Sequence, residues 1–229
     1  MSNDFLNQVK GKMIVSCQAL PEEPLHSSFI MARMAKAAKL AGAPAIRANS
    51  IVDIEAIQAE TGLPVLGINK HVYPDAETFI TPTIEDMTAI AETGCAAVAV
   101  EVTGRTRPHG QSLADNVKQF RAAYPNTLLM ADTASLADVS QADELGFDMI
   151  GTTLYGYTEA TAGRDLATND FEYLKQVLKA AKHPVIAEGK IDTPEKLRRC
   201  IDLGVHAAVV GSAITRPLTI AQRFMQALA

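Results

Sequence analysis

Four stretches of the chain open near a glycine that follows a helical pattern, then run into short apolar segments: residues 41–50 (AGAPAIRANS), 93–102 (TGCAAVAVEV), 145–154 (LGFDMIGTTL) and 203–212 (LGVHAAVVGS). Their glycines, Gly42, Gly94, Gly146 and Gly204, are spaced by 52, 52 and 58 residues. Interleaved with them are four more apolar runs that end in polar residues: 12–18 (KMIVSCQ), 63–70 (LPVLGINK), 127–133 (TLLMADT) and 183–190 (HPVIAEGK). Near-continuous apolar runs, without polar alternation, suit parallel strands covered on both faces. The pattern predicts eight such strands.

Helical periodicity fills the gaps. Residues 27–42 carry a 3.6-residue repeat with a Ser27/Ser28 start and a glycine stop. Thr83, Ser135 and Asn169 stand as N-caps before the next apolar-periodic segments, and Pro194 and Pro217 occupy first helical positions. Eight strands alternating with eight helices, repeating in βαβα quarters, predict a closed (β/α)₈ TIM barrel forming one domain over residues 1–229. The rival, an open doubly wound sheet, lacks a glycine-rich dinucleotide fingerprint after an early strand. The longest irregular stretch, 154–168, is expected to act as a lid.

Composition narrows the function classes. A net charge of −5 argues against nucleic acid or an anionic membrane as the partner. No apolar run is long enough to span a bilayer, and the N-terminus lacks a signal pattern. Cys17, Cys95 and Cys200 lie far apart, which suits reduced thiols in the cytoplasm better than disulfides or zinc.

In a barrel of this kind reactive groups gather where the strands end. Those ends read Gln18, Arg47 with Asn49, Lys70, Glu101 with Thr103, Asp132, Thr152 with Thr153, Glu188 with Gly189, and Gly211 with Ser212. Lys70, in the mouth, is a candidate base or Schiff-base nucleophile, against the readings of solvated lysine or phosphate counter-ion. Glu188 is a tuned acid or base, or a partner for Arg47 or Lys70. Glu101 and Asp132 are expected to orient other groups. A metal is not expected, since no histidine sits at a strand end and two cations stand among the carboxylates. Gly189, Gly211, Ser212 and Arg216, after the seventh and eighth strands, predict a phosphate site, against the reading that the glycines serve only tight turns. The five histidines read as loop or surface residues, Arg105 and Arg107 as solvated loop charges, and Cys17 as a buried neighbour.

The segments IVSCQAL (14–20), AIRAN (45–49), GINK (67–70), MADTAS (130–135), GFDMIGTTLYGYT (146–158), VIAEGKIDTPE (185–195) and VVGSAITRP (209–217) resemble the N-acetylmannosamine-6-phosphate 2-epimerases of bacterial sialic acid breakdown, in order along nearly the whole chain. The resemblance implies a phosphate-binding TIM barrel needing neither metal nor organic cofactor, and a homodimer. It implies a sugar-phosphate substrate epimerised at C2, with Lys70 and Glu188 as the catalytic pair. By the same resemblance Gln18, Arg47, Asp132 and Arg216 hold substrate. Thr152 joins them as a strand-end substrate contact. AVEVT (99–103) departs from the family's usual "LDAT"-like stretch by placing Glu101 where aspartate is common. Two other readings stand beside the epimerase: a lyase forming a Schiff base at Lys70, and a non-catalytic sugar-phosphate sensor.

Overall fold

The structure is a computed structural model that describes residues 2–228, with side-chain burial from residue 4. Its elements run α1 (Ser2–Val9), β1 (Met13–Cys17), α2 (Ser28–Leu40), β2 (Ile46–Asn49), α3 (Ile51–Thr61), β3 (Val65–Ile68), α4 (Ile84–Glu92), β4 (Ala97–Glu101), α5 (Leu113–Ala123) and β5 (Leu128–Asp132). The second half continues α6 (Leu136–Glu144), β6 (Met149–Gly151), α7 (Thr168–Ala180), β7 (Val185–Glu188), α8 (Pro194–Asp202), β8 (Ala207–Val210), α9 (Ser212–Thr215) and α10 (Pro217–Gln226). All eight strands are parallel, each pairs with the next, and β8 closes on β1. The expected barrel is present, and each strand lies inside its apolar run. Residues 1 and 229 of the expected domain lie outside the described residues.

Strand parity divides the apolar residues into two cores. Along β4, Val98 and Val100 face the helices, while Ala97 and Ala99 face the barrel interior. The interior set also takes Ile14, Leu66, Ile68, Leu128, Met130, Met149, Ile186, Ala207 and Val209. Phe5 and Val9 of α1 join that set. The pattern of apolar runs does not predict α1. With eight strands the lumen is just wide enough for side chains alone to fill it, small ones such as Ala97 and Ala207 among them.

Thr83 and Ser135 cap α4 and α6 in full capping boxes with Asp86 and Asp138, and Thr193 caps α8 ahead of Pro194. The expected cap at Asn169 is not one. The helix bounds begin at Thr168, and Asn169, Asp170 and Phe171 have left-handed φ values of 51°, 53° and 61°. Ala167 holds the N-cap position without a side-chain cap bond, and Asp165 closes the turn before it: its side chain accepts from Ala167 N–H at 2.8 Å and its carbonyl from Thr168 N–H at 3.1 Å.

Candidate active site

Parity persists to the strand ends, so Gln18, Arg47, Lys70, Glu101, Asp132, Thr153, Glu188 and Gly211 continue the interior series of their strands, with Asn49 one inward step beyond Arg47. Arg47 is 1% exposed and lies under the mouth floor. It grips Asp132 in a two-pronged pair, Nη1–Oδ1 3.1 Å and Nη2–Oδ2 2.6 Å, and reaches Glu188 Oε2 from Nη1 at 3.0 Å. Burial opposes the Arg47 charge, but Asp132 and Glu188 outweigh it, so the guanidinium is held more firmly charged than usual. The Thr153 hydroxyl donates to Asp132 Oδ1 at 2.5 Å and lies 3.3 Å from Glu188 Oε2.

Glu188 keeps 14% of its side chain exposed, toward a cavity of about 430 Å³. Burial, followed by the Asp132 charge, pushes its carboxyl up to about 7, against the pull of Arg47 and Lys70. Across the cavity, burial lowers the Lys70 amine to about 8, assisted by Arg47 and Arg216 and opposed by Glu188 and Asp132. Both side chains line this one cavity. In a closed order of eight strands β3 and β7 stand four apart, so Lys70 and Glu188 enter the mouth from opposite sides. The Lys70 main chain is fixed by its N–H donating to Asn49 Oδ1 at 2.7 Å, and by an antiparallel bridge to Ile80.

Gln18, Gly189, Gly211, Ser212 and Arg216 line the same cavity. Gln18 donates from Nε2 to Ser16 Oγ at 2.8 Å, while its buried Oε1 has no partner among the described residues. Gly189 has φ 112°, a conformation that disfavours a side chain, and a Cβ on Gly211 would press on Ser16 Cβ at 3.1 Å. Arg216 pairs with Glu23 at 3.2 Å. Leu154, Tyr157 and Asp165 of the expected lid also line the cavity, and Arg164 O accepts from Lys190 Nζ at 2.7 Å. Among the described residues no three His, Cys, Asp or Glu converge in a metal-binding cluster.

The strand-end reading therefore assembles Gln18, Lys70, Glu188, Gly189, Gly211, Ser212 and Arg216 around one cavity. Arg47 and Asp132 do not line it; Arg47 contacts Glu188 from beneath, and Asp132 fixes Arg47. Thr152 does not face it either. Its hydroxyl donates to Glu188 O at 2.8 Å and accepts from Glu188 N–H at 2.9 Å, and Thr153 takes the inward place. The period-2 series Met149–Gly151–Thr153 carried that information. Arg105 and Arg107, expected in solvent, turn inward: Arg105 Nε meets Glu101 Oε1 at 2.9 Å, and Arg107 donates to Pro82 O at 3.0 Å and to Glu101 O.

The family profile described as "Putative N-acetylmannosamine-6-phosphate epimerase" matches residues 31–229. The chain is 64% identical over 228 residues to a "Putative N-acetylmannosamine-6-phosphate 2-epimerase" of Lactiplantibacillus plantarum, covering 100% of both. It is 63% identical over 228 residues to a protein of the same description from Pediococcus pentosaceus, again covering 100% of both. The solved structure of the N-acetylmannosamine-6-phosphate 2-epimerase from Clostridium perfringens matches it with a TM-score of 0.92 at 47% identity, covering 97% of this chain and 96% of that one. By profile, by full-length relatives and by fold, this chain belongs to the N-acetylmannosamine-6-phosphate 2-epimerase family.

Proposed function

We propose that this protein is an isomerase that interconverts N-acetyl-D-mannosamine 6-phosphate and N-acetyl-D-glucosamine 6-phosphate by moving a proton at C2 of the sugar. The observation that carries the mechanism is the entry of Lys70 and Glu188 into one cavity from opposite sides of the barrel. In the open-chain sugar the C1 aldehyde acidifies the C2 proton. One group of the pair takes that proton; the C2–H electrons move into the C1–C2 bond and the carbonyl electrons onto O1. The other group returns a proton to the opposite face, and the carbonyl re-forms. Groups titrating near 7 and 8 suit both roles, because each is available as donor and acceptor close to neutrality.

The phosphate supplies a tether away from the reacting carbon, so that the planar intermediate stays in place while its second face is protonated. Gly189, Gly211 and Ser212 bring main chain to the cavity wall, and Arg216 adds a charged fork. Gln18 Oε1 is a free acceptor for a sugar hydroxyl or amide. Arg47 orients Glu188 through its contact at 3.0 Å and is itself fixed by Asp132, and the 154–168 segment limits water at the mouth.

The enzyme acts in the cytoplasm, in keeping with three free, buried cysteines. Among the described residues no helix is long and apolar enough to cross a membrane. It assembles as a homodimer through α10, which buries none of its residues yet exposes Leu218, Phe224 and Met225. Sedimentation should therefore give twice the 24.5 kDa chain mass.

The test is proton NMR in deuterium oxide: wild-type enzyme should wash deuterium into C2 of either sugar phosphate as it epimerises. Borohydride with substrate should leave Lys70 unlabelled. Covalent trapping there, or turnover without exchange, overturns the proton-transfer reading.

A further inference from the structure

Glu101, the last residue of β4, shares the inward parity of Lys70 and Glu188 and is 0% exposed, yet it does not line the cavity. Its bonds run sideways into the loop that follows β3. Oε2 accepts from Phe79 N–H at 3.0 Å and Ile80 N–H at 3.4 Å. Oε1 accepts from the Thr103 hydroxyl at 2.7 Å and from Arg105 Nε and Nη2 at 2.9 and 2.5 Å. The main chain of the same residue joins in: Glu101 N–H donates to Ile80 O at 3.0 Å, and Glu101 O accepts from Arg107, whose other nitrogen holds Pro82 O. One buried residue thus binds the segment 79–82 through its side chain, its amide and its carbonyl.

That segment is the wall against which Lys70 rests. Ile80 forms the antiparallel bridge with Lys70, and Phe79 and Ile80 both line the cavity. Thr81 is held at φ 48°, a strained place for a β-branched residue. It stays there through Thr81 N–H to Asn69 O at 2.8 Å and Asn69 N–H to Thr81 Oγ1 at 3.1 Å. The chain of contact is therefore Glu101 to Phe79–Ile80, and from these to Asn69–Lys70.

We infer that Glu101 is a positioning residue for Lys70: its carboxylate clamps the Phe79–Ile80 main chain and so fixes where the amine sits and keeps water from it. The inference deepens the proton-transfer reading of Lys70 and rests on it. A carboxylate suits the task because one oxygen serves two adjacent main-chain N–H groups while the other takes Arg105 and Thr103. An amide offers a single acceptor oxygen, so Glu101→Gln must leave one side of the clamp unmade, with a buried donor stranded. The charges that face Lys70 are Arg47 from β2, Asp132 from β5, Glu188 from β7 and Arg216 after α9. Glu101 is not among them, so loss of its carboxylate reaches the amine through the wall and its water.

The test is Glu101→Gln, read by steady-state kinetics and by nitrogen NMR titration of the Lys70 side chain, assigned through its loss in Lys70→Arg. The expected result is a kcat about 100-fold lower with KM little changed, the scale of an ångström-level misplacement of a reacting group. The Lys70 midpoint should climb from about 8 toward its ordinary 10.5 as water enters. A variant with a lower melting temperature but unchanged kcat and Lys70 midpoint overturns the inference. If Glu101→Gln does not fold, Arg105→Gln removes one partner of the same carboxylate and should move the midpoint in the same direction by less. An unmoved midpoint there overturns it too. The NMR reading stands apart from catalysis: absence of deuterium wash-in by wild-type enzyme would sink the epimerase reading and leave the clamp to be judged by the titration.

Discussion

Among the described residues two arginines grip both oxygens of a carboxylate as a fork, each through two nitrogens. In the barrel mouth Arg47 binds Asp132 at 3.1 and 2.6 Å. On the outside Arg199 of α8 binds Asp170 of α7 at 2.7 and 2.6 Å, with Lys175 adding a contact at 2.7 Å. Arg47 binds end-on through Nη1 and Nη2 and Arg199 side-on through Nε and Nη2, and the surroundings are opposite. Arg47 and Asp132 are 1% and 0% exposed, whereas Arg199 and Asp170 are 43% and 53% exposed. Water and salt screen the outer fork, so it ties two helices together lightly. In the inner fork each charge depends on its partners, and the third member, Glu188, is left with a carboxyl that titrates near neutrality. Burial turns a structural pair into a chemical one.

The largest effect that breaks this contrast is on turnover. Glu188→Gln and Lys70→Ala should each lower kcat about 10³-fold or more with the fold intact, the scale of losing a positioned acid–base group. In the wild type, kcat/KM should follow a bell between limbs near 7 and 8, reported by initial rates across pH. Stability gives the sign of the burial cost. The Glu188 carboxyl titrates higher in the fold, about 7, than its ordinary 4.5, so its contribution is present below 4.5 and lost as pH rises through 7. Glu188→Gln should thus gain melting temperature over wild type above neutrality and not in acid. A wild-type-like rate in either variant would dissolve the distinction between the forks.

Next in size is Arg47→Ala, which strands two buried carboxylates and should cost about 3–5 kcal/mol in denaturant unfolding. A cost no larger than that of a surface substitution would mean that water already reaches the inner fork. Arg216→Ala removes a charged contact at the cavity rim and should raise KM for the sugar phosphate about 10-fold with a smaller change in kcat, the scale of one charge-assisted hydrogen bond. An unchanged KM would place the phosphate elsewhere. Smallest is Asp170→Asn: activity should stay unchanged, and any loss of melting temperature should fade at high salt. A loss that persists in salt would show that the left-handed turn at 169–171, rather than the charge, needs Asp170.

Much of the fold was legible because parallel strands buried on both faces leave unmistakable apolar runs, and each glycine near 42, 94, 146 and 204 marks the exit from a helix. The polar strand ends were equally plain. Direction was not. Thr152 and Thr153 are adjacent and chemically alike, and only the inward series through Met149 and Gly151 separates the residue that faces the cavity from the one that clamps the Glu188 main chain. Asn169 looks like a cap, but the helix starts from Ala167 after a turn closed by Asp165, on a loop whose path no local pattern encodes. Arg105 and Arg107 read as solvated because their partner, Glu101, is buried on a strand that must first close into a barrel.

The sequence by itself determined the number and order of strands, the helices between them and the set of polar groups at the strand ends, because hydrophobic periodicity and capping act over a few residues. Tertiary structure alone decided which of those groups meet. Closure of β8 onto β1 sets β3 across from β7, so Lys70 faces Glu188 over one cavity, and the lumen between them excludes enough water to draw both groups toward neutral titration. That exclusion belongs to the closed barrel and to no segment of the chain.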